Sequence, residues 1–195
     1  MGALTLINLF EVPPDADEAF VAGWERARDF LAARAAFSAT ALHRALREDV
    51  DFRFANVAGV EDPGAWRQAI ADPGFPGREM PFASYPGLYE AVREDGRPDV
   101  AGGVRLINPF EVPDDHDDDF LTGWERARLT LRGRQGYLGT RLHRATVPAR
   151  FRFVNVAGWS SPLMFARALD DPAFRDATAA IPFRSHPALY TVVGD

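Results

Sequence analysis

Residues 4–10 read LTLINLF, and one hundred positions later residues 104–110 read VRLINPF. In the first stretch Leu4, Leu6, Asn8 and Phe10 alternate with their neighbours, the period-2 pattern of a strand. The likeness extends along the whole chain. LINLFEVP at 6–13 returns as LINPFEVP at 106–113, GWERAR at 23–28 returns at 123–128, and ALHRA at 41–45 returns as RLHRA at 141–145. FRFANVAG at 52–59 returns as FRFVNVAG at 151–158, and PFASYPGLYEAV at 81–92 as PFRSHPALYTVV at 182–193. These blocks define a tandem duplication, with repeat 1 over 1–93, a polar glycine- and proline-containing linker over 94–103, and repeat 2 over 104–195.

Within each repeat the hydrophobic period changes in order. Phe20, Trp24, Ala27 and Leu31 recur at helical spacing, so GWERAR lies in an amphipathic helix whose start is favoured by Asp15 and Asp17. Strands follow over 40–46 and 52–58, then a helix over 63–71 and a last strand over 88–92. The order βαββαβ predicts an α+β fold of two ferredoxin-like repeats, each a four-stranded antiparallel sheet with both helices on one face. The bare face needs cover. We expect the two sheets to pack face to face as an intramolecular pseudo-dimeric α+β barrel, the short linker holding them at high effective concentration. The chain is then a monomer acting as a pseudo-dimer, with further dimerisation left open.

Composition narrows the chemistry. Of 195 residues, 47% are hydrophobic and 26% charged, which suits a soluble globular protein, and the net charge of −6 argues against a nucleic-acid partner. No apolar run approaches the roughly 20 residues of a membrane span, and the N-terminus lacks the features of a signal peptide, so a cytoplasmic location and no membrane partner are expected. There is no cysteine, and all 22 basic residues are arginine. Thiolate nucleophiles, iron–sulfur ligation and Schiff-base lysines are thereby absent. The acidic run DDHDDDF at 114–120 has no defined ligand spacing and reads as a solvated helix start, so no metal site is expected.

Chemistry then rests on polar residues set into apolar strands. Asn8 and Asn56 share a face with apolar neighbours on adjacent strands, and Asn108 and Asn155 repeat the arrangement. Each amide either satisfies backbone groups or serves a pocket. His43 and His143, on the opposite face from Leu42 and Arg44, are either a base or interface residues. Arg44 and Arg144 either hold an anionic oxygen or pair with carboxylates. His186 stands where repeat 1 has Tyr85, at a pocket edge or on the surface, while Tyr89 and Tyr190 either line a pocket or pack.

The succession LIN(L/P)FEVP, GWERAR, LHRA, FRFxNVA and PFxxxPxLY resembles the antibiotic biosynthesis monooxygenase group of dimeric α+β barrel proteins, over nearly all of both repeats. The resemblance implies cofactor-free oxygenases of polycyclic aromatic polyketides, alongside haem-degrading enzymes, cyclases, isomerases and members without assigned activity. It implies that the asparagines donate to the oxyanion formed when an anthrone or phenol loses its proton. In the oxygenase branch an asparagine is followed four residues later by tryptophan. Asn155 and Trp159 match this, whereas Asn56 is followed by Val60. Haem-degrading relatives carry a histidine shortly after a phenylalanine of the second helix, and here Phe174 is followed by Thr178.

These readings place one principal pocket in repeat 2, which also keeps Gly136 at a helix end where repeat 1 has Ala36, and a fuller second helix over 174–180 where repeat 1 has PGFPGREM. Asn155 and Asn108 are the expected oxyanion donors, Trp159 a wall and N–H donor, and His143 or His186 the base. Arg144, Tyr190, Phe110 and Trp124, with Asn8, Asn56 and His43 of repeat 1, are the expected substrate contacts. The expected reaction is monooxygenation of an aromatic small molecule by dioxygen without a cofactor, haem and flavin remaining open. A cyclase or isomerase, or a binding protein of the same fold, is the alternative.

Overall fold

In the computed structural model, which describes residues 4–34, 38–100 and 102–195, LTLINLF opens strand β1 (Leu4–Glu11). A 3-10 turn leads into α1 (Asp17–Ala32), which buries Phe20, Trp24, Ala27 and Leu31 along one stripe. Then come β2 (Ala39–Ala45), β3 (Phe54–Val60) and α2 (Pro63–Ala71). Asp62 starts α2 by accepting from the amides of Gly64 and Ala65, a side-chain cap on otherwise unsatisfied donors. A 3-10 turn (Pro76–Glu79) replaces further helix before β4 (Ala83–Gly96).

Repeat 2 gives β5 (Val104–Glu111), α3 (Asp117–Leu131), β6 (Tyr137–Ala145) and β7 (Phe153–Trp159). It continues with α4 (Pro162–Leu169), α5 (Pro172–Ala179), the two-residue β8 (Arg184–Ser185) and β9 (Ala188–Gly194). Its second helical segment is fuller than that of repeat 1, but Pro172 divides it, since proline has no N–H for the preceding turn. Gly136 does take a positive φ, 84°. It lies in the loop ahead of β6, however, and the left-handed residue just past α3 is Gly133. Ala36 lies outside the described residues.

All strand pairs are antiparallel. The strands run β4-β1-β3-β2 in repeat 1 and β9-β5-β7-β6 in repeat 2, with β8 prolonging the line of β9 along β5. The expected face-to-face stacking of two sheets is corrected here. β4 pairs with β6 and β2 with β9, so the sheets join edge to edge and close into one eight-stave barrel. Closure pairs both outer strands of each four-stranded sheet with the other repeat. It also explains β4. Residues Glu94, Asp95 and Gly96, in the segment expected to be linker, pair with Arg141, Thr140 and Gly139 of the other repeat.

Alternation then sends side chains to two places. One set fills the barrel, where Ile7, Leu9, Phe52, Ala55, Tyr89, Ile107, Phe151, Val154 and Tyr190 form one buried cluster. The other set faces the helices, with Phe20 stacked on Phe54 and Phe120 on Phe153, both at 4.4 Å. Paired ions pin each long helix to its sheet. Arg53 meets Asp17 at 3.0 and 2.7 Å, and Arg152 meets Asp117 at 2.9 and 2.8 Å. Asp117 opens α3, so the acidic run supplies a helix start and its ion pair, and the Arg152 hydrogen bond holds that carboxyl below the usual carboxylate range. Among the described residues no helix is long and apolar enough to cross a membrane.

Candidate functional site

The helix-facing side of each half-barrel encloses a cavity, and the two differ in size. The cavity of repeat 1 measures about 290 Å³ and lies between β1, β3 and β4 on one side and α1, α2 and the Pro76–Glu79 turn on the other. Its counterpart in repeat 2 measures about 70 Å³. The larger space is therefore in the half where the sequence reading did not place it.

Its polar groups converge from the sheet. Asn8 and Asn56 are cross-strand partners and both line the cavity. The Asn56 Oδ1 accepts two hydrogen bonds, from Trp24 Nε1 at 3.1 Å and from Thr40 Oγ1 at 2.8 Å. With its oxygen held twice, the amide must turn its Nδ2 donors away from those partners. Asn8 Oδ1 and Trp66 Nε1 are buried with no hydrogen-bond partner, a costly state for polar atoms unless something else meets them. Trp66, on α2, lines the same cavity, and Arg28 and Arg78 complete its polar boundary. Arg78 donates to the carbonyls of Ile70 and Ala71 at the end of α2. The remaining wall is apolar, including Leu6, Phe10, Phe75, Met80 and Phe82. No carboxylate or imidazole is among the described residues that line it.

In repeat 2 the same strand positions are used differently. Asn108, Asn155, Phe110 and Trp124 do line its cavity, as expected. But Asn108 Oδ1 accepts from the backbone N–H of His186 at 3.1 Å, and Asn155 Oδ1 from Thr140 Oγ1 at 2.6 Å. Trp159 is fully buried and is not among the residues lining that cavity. It packs edge-on against Tyr137 and Phe165 at 5.4 Å, its Nε1 unpartnered. At the matching place in repeat 1 stands Val60, and Trp66 packs against its cluster from the helix side.

The other expected site residues lie elsewhere. His43 and His143 share strand parity with Ala45 and Ala145 of the interior cluster, so they point into the barrel and away from the amides. Burial pulls each imidazole from 6.5 down to about 4, although hydrogen bonds to backbone carbonyls oppose it. Neither reaches a cavity as a base. His186 is also corrected, its ring lying between Asp51 and Glu111 against Phe52 and Phe151. Arg144 pairs with Glu90 at 2.7 Å and Asp117 at 3.6 Å, because its strand position faces the start of α3. Arg44 likewise meets Asp17 at 3.7 Å. Tyr190 is core, its hydroxyl donating to Phe52 O at 2.9 Å, and Tyr89 donates to Phe151 O at 3.1 Å.

The sequence reading missed Trp66, Thr40, Arg28 and Arg78. Trp66 had a visible signal, since repeat 2 has Phe165 at the matching place, and Thr40 recurs as Thr140. Arg28 likewise recurs as Arg128 at the end of GWERAR, whereas Arg78 had no signal, because the Pro76–Glu79 turn that presents it has no equivalent in repeat 2.

An anthrone oxidase-like protein of known crystal structure superposes on the chain with a TM-score of 0.76 at 16% identity, covering 98% of this chain and 91% of its own. A ferredoxin-fold protein related to antibiotic biosynthesis monooxygenases, from Listeria monocytogenes, gives 0.54 at 14%, covering 98% and 96%. A haem-degrading enzyme from the same organism gives 0.54 at 15%, covering 95% and 97%. At these identities the likeness is one of fold. No protein-family model matches the chain, and no curated protein matches it.

Proposed function

We propose that the protein is a cofactor-independent monooxygenase of aromatic polyketide intermediates of anthrone or phenol type, of the antibiotic biosynthesis monooxygenase kind, and that its working pocket is that of repeat 1. The barrel is on this reading the covalently linked equivalent of a dimer. The observation that carries the proposal is the doubly anchored Asn56 amide and the unpartnered Trp66 N–H on the wall of one cavity that holds no carboxylate or imidazole among its described lining residues.

Such a substrate supplies its own electrons. Once its activated methylene loses a proton, the carbanion transfers an electron to dioxygen and the radical pair collapses to a peroxide. Loss of water from the peroxide leaves a ketone, so that one methylene and one dioxygen give one carbonyl and one water. The chain's part is to favour ionisation and keep water out. Asn56 Nδ2 and Trp66 Nε1 donate to the developing enolate oxygen, Asn8 Oδ1 accepts from a neighbouring phenol, and Arg78 adds positive potential at the boundary. Donors fixed in advance in a low-dielectric site favour the anion over its neutral parent. With no carboxylate or imidazole at the wall, the proton leaves to solvent at the rim. No step runs through haem. Among the described residues no imidazole lines either cavity, and Thr178 turns its hydroxyl back onto Phe174 O at 2.9 Å.

Oxygen uptake with an anthrone, on protein stripped of metal, tests this reading. We expect one dioxygen consumed per product and no product anaerobically. Anaerobic product would instead identify a cyclase or isomerase, and tight ligand binding without turnover a binding protein.

A further inference from the structure

At one mouth of the barrel the repeats meet through matched side chains, two pairs of which the duplication has made unequal. Three matched positions are involved: Glu11 and Glu111, Asp51 and Arg150, and Tyr85 and His186. Phe52 and Phe151, also matched, touch edge to face at 5.4 Å beneath them.

Around this pair the two sides are built differently. His186 of repeat 2 approaches Asp51 of repeat 1 with Nδ1 at 2.5 Å and Glu111 of its own repeat with Nε2 at 3.1 Å. Both ring nitrogens thus lie against carboxylate oxygens, one from each repeat. On the other side Tyr85 donates to Glu11 at 2.7 Å, and the Arg150 guanidinium lies 4.2 Å over the Tyr85 ring. Arg150 also reaches across both repeats. It lies 3.8 Å from Glu11 and 3.7 Å from Glu111, and its guanidinium carbon is 5.7 Å from the Phe52 ring and 5.2 Å from that of Phe151.

One guanidinium therefore occupies the centre, and there is work there for only one. Repeat 1 matched with a second repeat 1 would bring together two Glu11 and two Asp51 with no cation among these positions. Repeat 2 matched with itself would bring two arginines to the centre and leave each histidine without its aspartate. We infer that this mouth is a recognition surface by which repeat 1 selects repeat 2 as its partner and rejects a copy of itself. Like charges brought together at such an interface act against the wrong pairing, as attraction favours the right one. This inference does not depend on the proposed reaction.

The test keeps the chain whole and exchanges the matched residues. One half-exchange, Asp51→Arg with His186→Tyr, places two arginines at the mouth. The other, Arg150→Asp with Tyr85→His, removes the central cation. The full exchange combines all four and restores one arginine, one aspartate, one tyrosine and one histidine with the repeats reversed. Each half-exchange should lower the thermal unfolding midpoint by about 2–4 °C. The full exchange should recover most of that loss and remain monomeric by light scattering. A role as ordinary packing predicts additive losses, so a full exchange about as destabilised as the two halves summed overturns the inference, as do half-exchanges as stable as the parent chain. If the half-exchanges fail to express as soluble protein, the full exchange still decides: a soluble monomer supports the inference, and an insoluble one overturns it.

Discussion

Replacing Trp24 by phenylalanine should cost activity out of proportion to stability, and the same change at Trp124 should not. In repeat 1 the indole is buried and donates to Asn56 Oδ1 at 3.1 Å, sharing that oxygen with Thr40 at 2.8 Å. Phenylalanine keeps most of the buried ring and removes the donor. One net hydrogen bond is worth about 1 kcal/mol, and the missing ring edge adds a comparable packing loss, for about 2 kcal/mol in all. In a chain of this size that lowers the unfolding midpoint by about 4–8 °C. The functional effect comes from the amide. Held by one bond in place of two, it spends part of its time turned away from the ligand, and we expect kcat to fall about 10-fold, or about 1.4 kcal/mol, with KM little changed. Trp124 is equally buried, but Asn155 Oδ1 is held by Thr140 rather than by the indole. Trp124→Phe should therefore show a packing loss alone, with kcat unchanged. Steady-state oxygen uptake and thermal unfolding on both variants supply the comparison, and equal kcat losses in the two would show that the Trp24 hydrogen bond does not orient the Asn56 amide.

Three other outcomes follow from the same geometry. His43 and His143 are held neutral at pKa about 4 in the fold against 6.5 unfolded, so the unfolded chain binds more protons between these values and stability falls as pH drops from 6.5 to 4, by about 3 kcal/mol per histidine at the limit; urea unfolding at pH 7.5 and 4.5 should show this, and His143→Asn should flatten the slope. Trp159→Val should open the small cavity of repeat 2 at a cost of about 3–4 kcal/mol, and a titration of the variant with an anthrone analogue should then show a second, weaker site. Tyr190→Phe strands the Phe52 carbonyl inside the barrel and should lower stability by about 1–3 kcal/mol in chemical denaturation while leaving kcat unchanged.

The fold was legible because each element carries its own period. The residues expected as the helix over 63–71 are those of α2, and the helical stripe expected from Phe20 to Leu31 is buried. What escaped the reading depends on partners distant in the chain. Residues 94–96 are polar and look like linker, yet they form strand because β6 of the other repeat supplies their hydrogen bonds, with Glu94 meeting Arg141 at 2.8 Å. His186 finds Asp51 across 135 positions, and no local pattern announces that contact. The difference in cavity size escaped the sequence for another reason. A tryptophan four residues after Asn155 reads as a mark of function, but buried bulk at Trp159 accompanies the smaller cavity, and the valine that looks like a loss in repeat 1 accompanies the larger one. The paired asparagines are legible in both repeats. How each amide oxygen is held differs between them, through Trp24 on Asn56 and the backbone of His186 on Asn108.

Which repeat holds the working site is read most directly by comparing Asn56→Ala with Asn155→Ala for kcat/KM in oxygen uptake with one anthrone, both variants first shown to be folded. Losing a fixed oxyanion donor typically costs about 100- to 1,000-fold, so a site in repeat 1 gives a loss of that size for Asn56→Ala and less than about 5-fold for Asn155→Ala. The reverse order, or equal losses, would place the chemistry elsewhere.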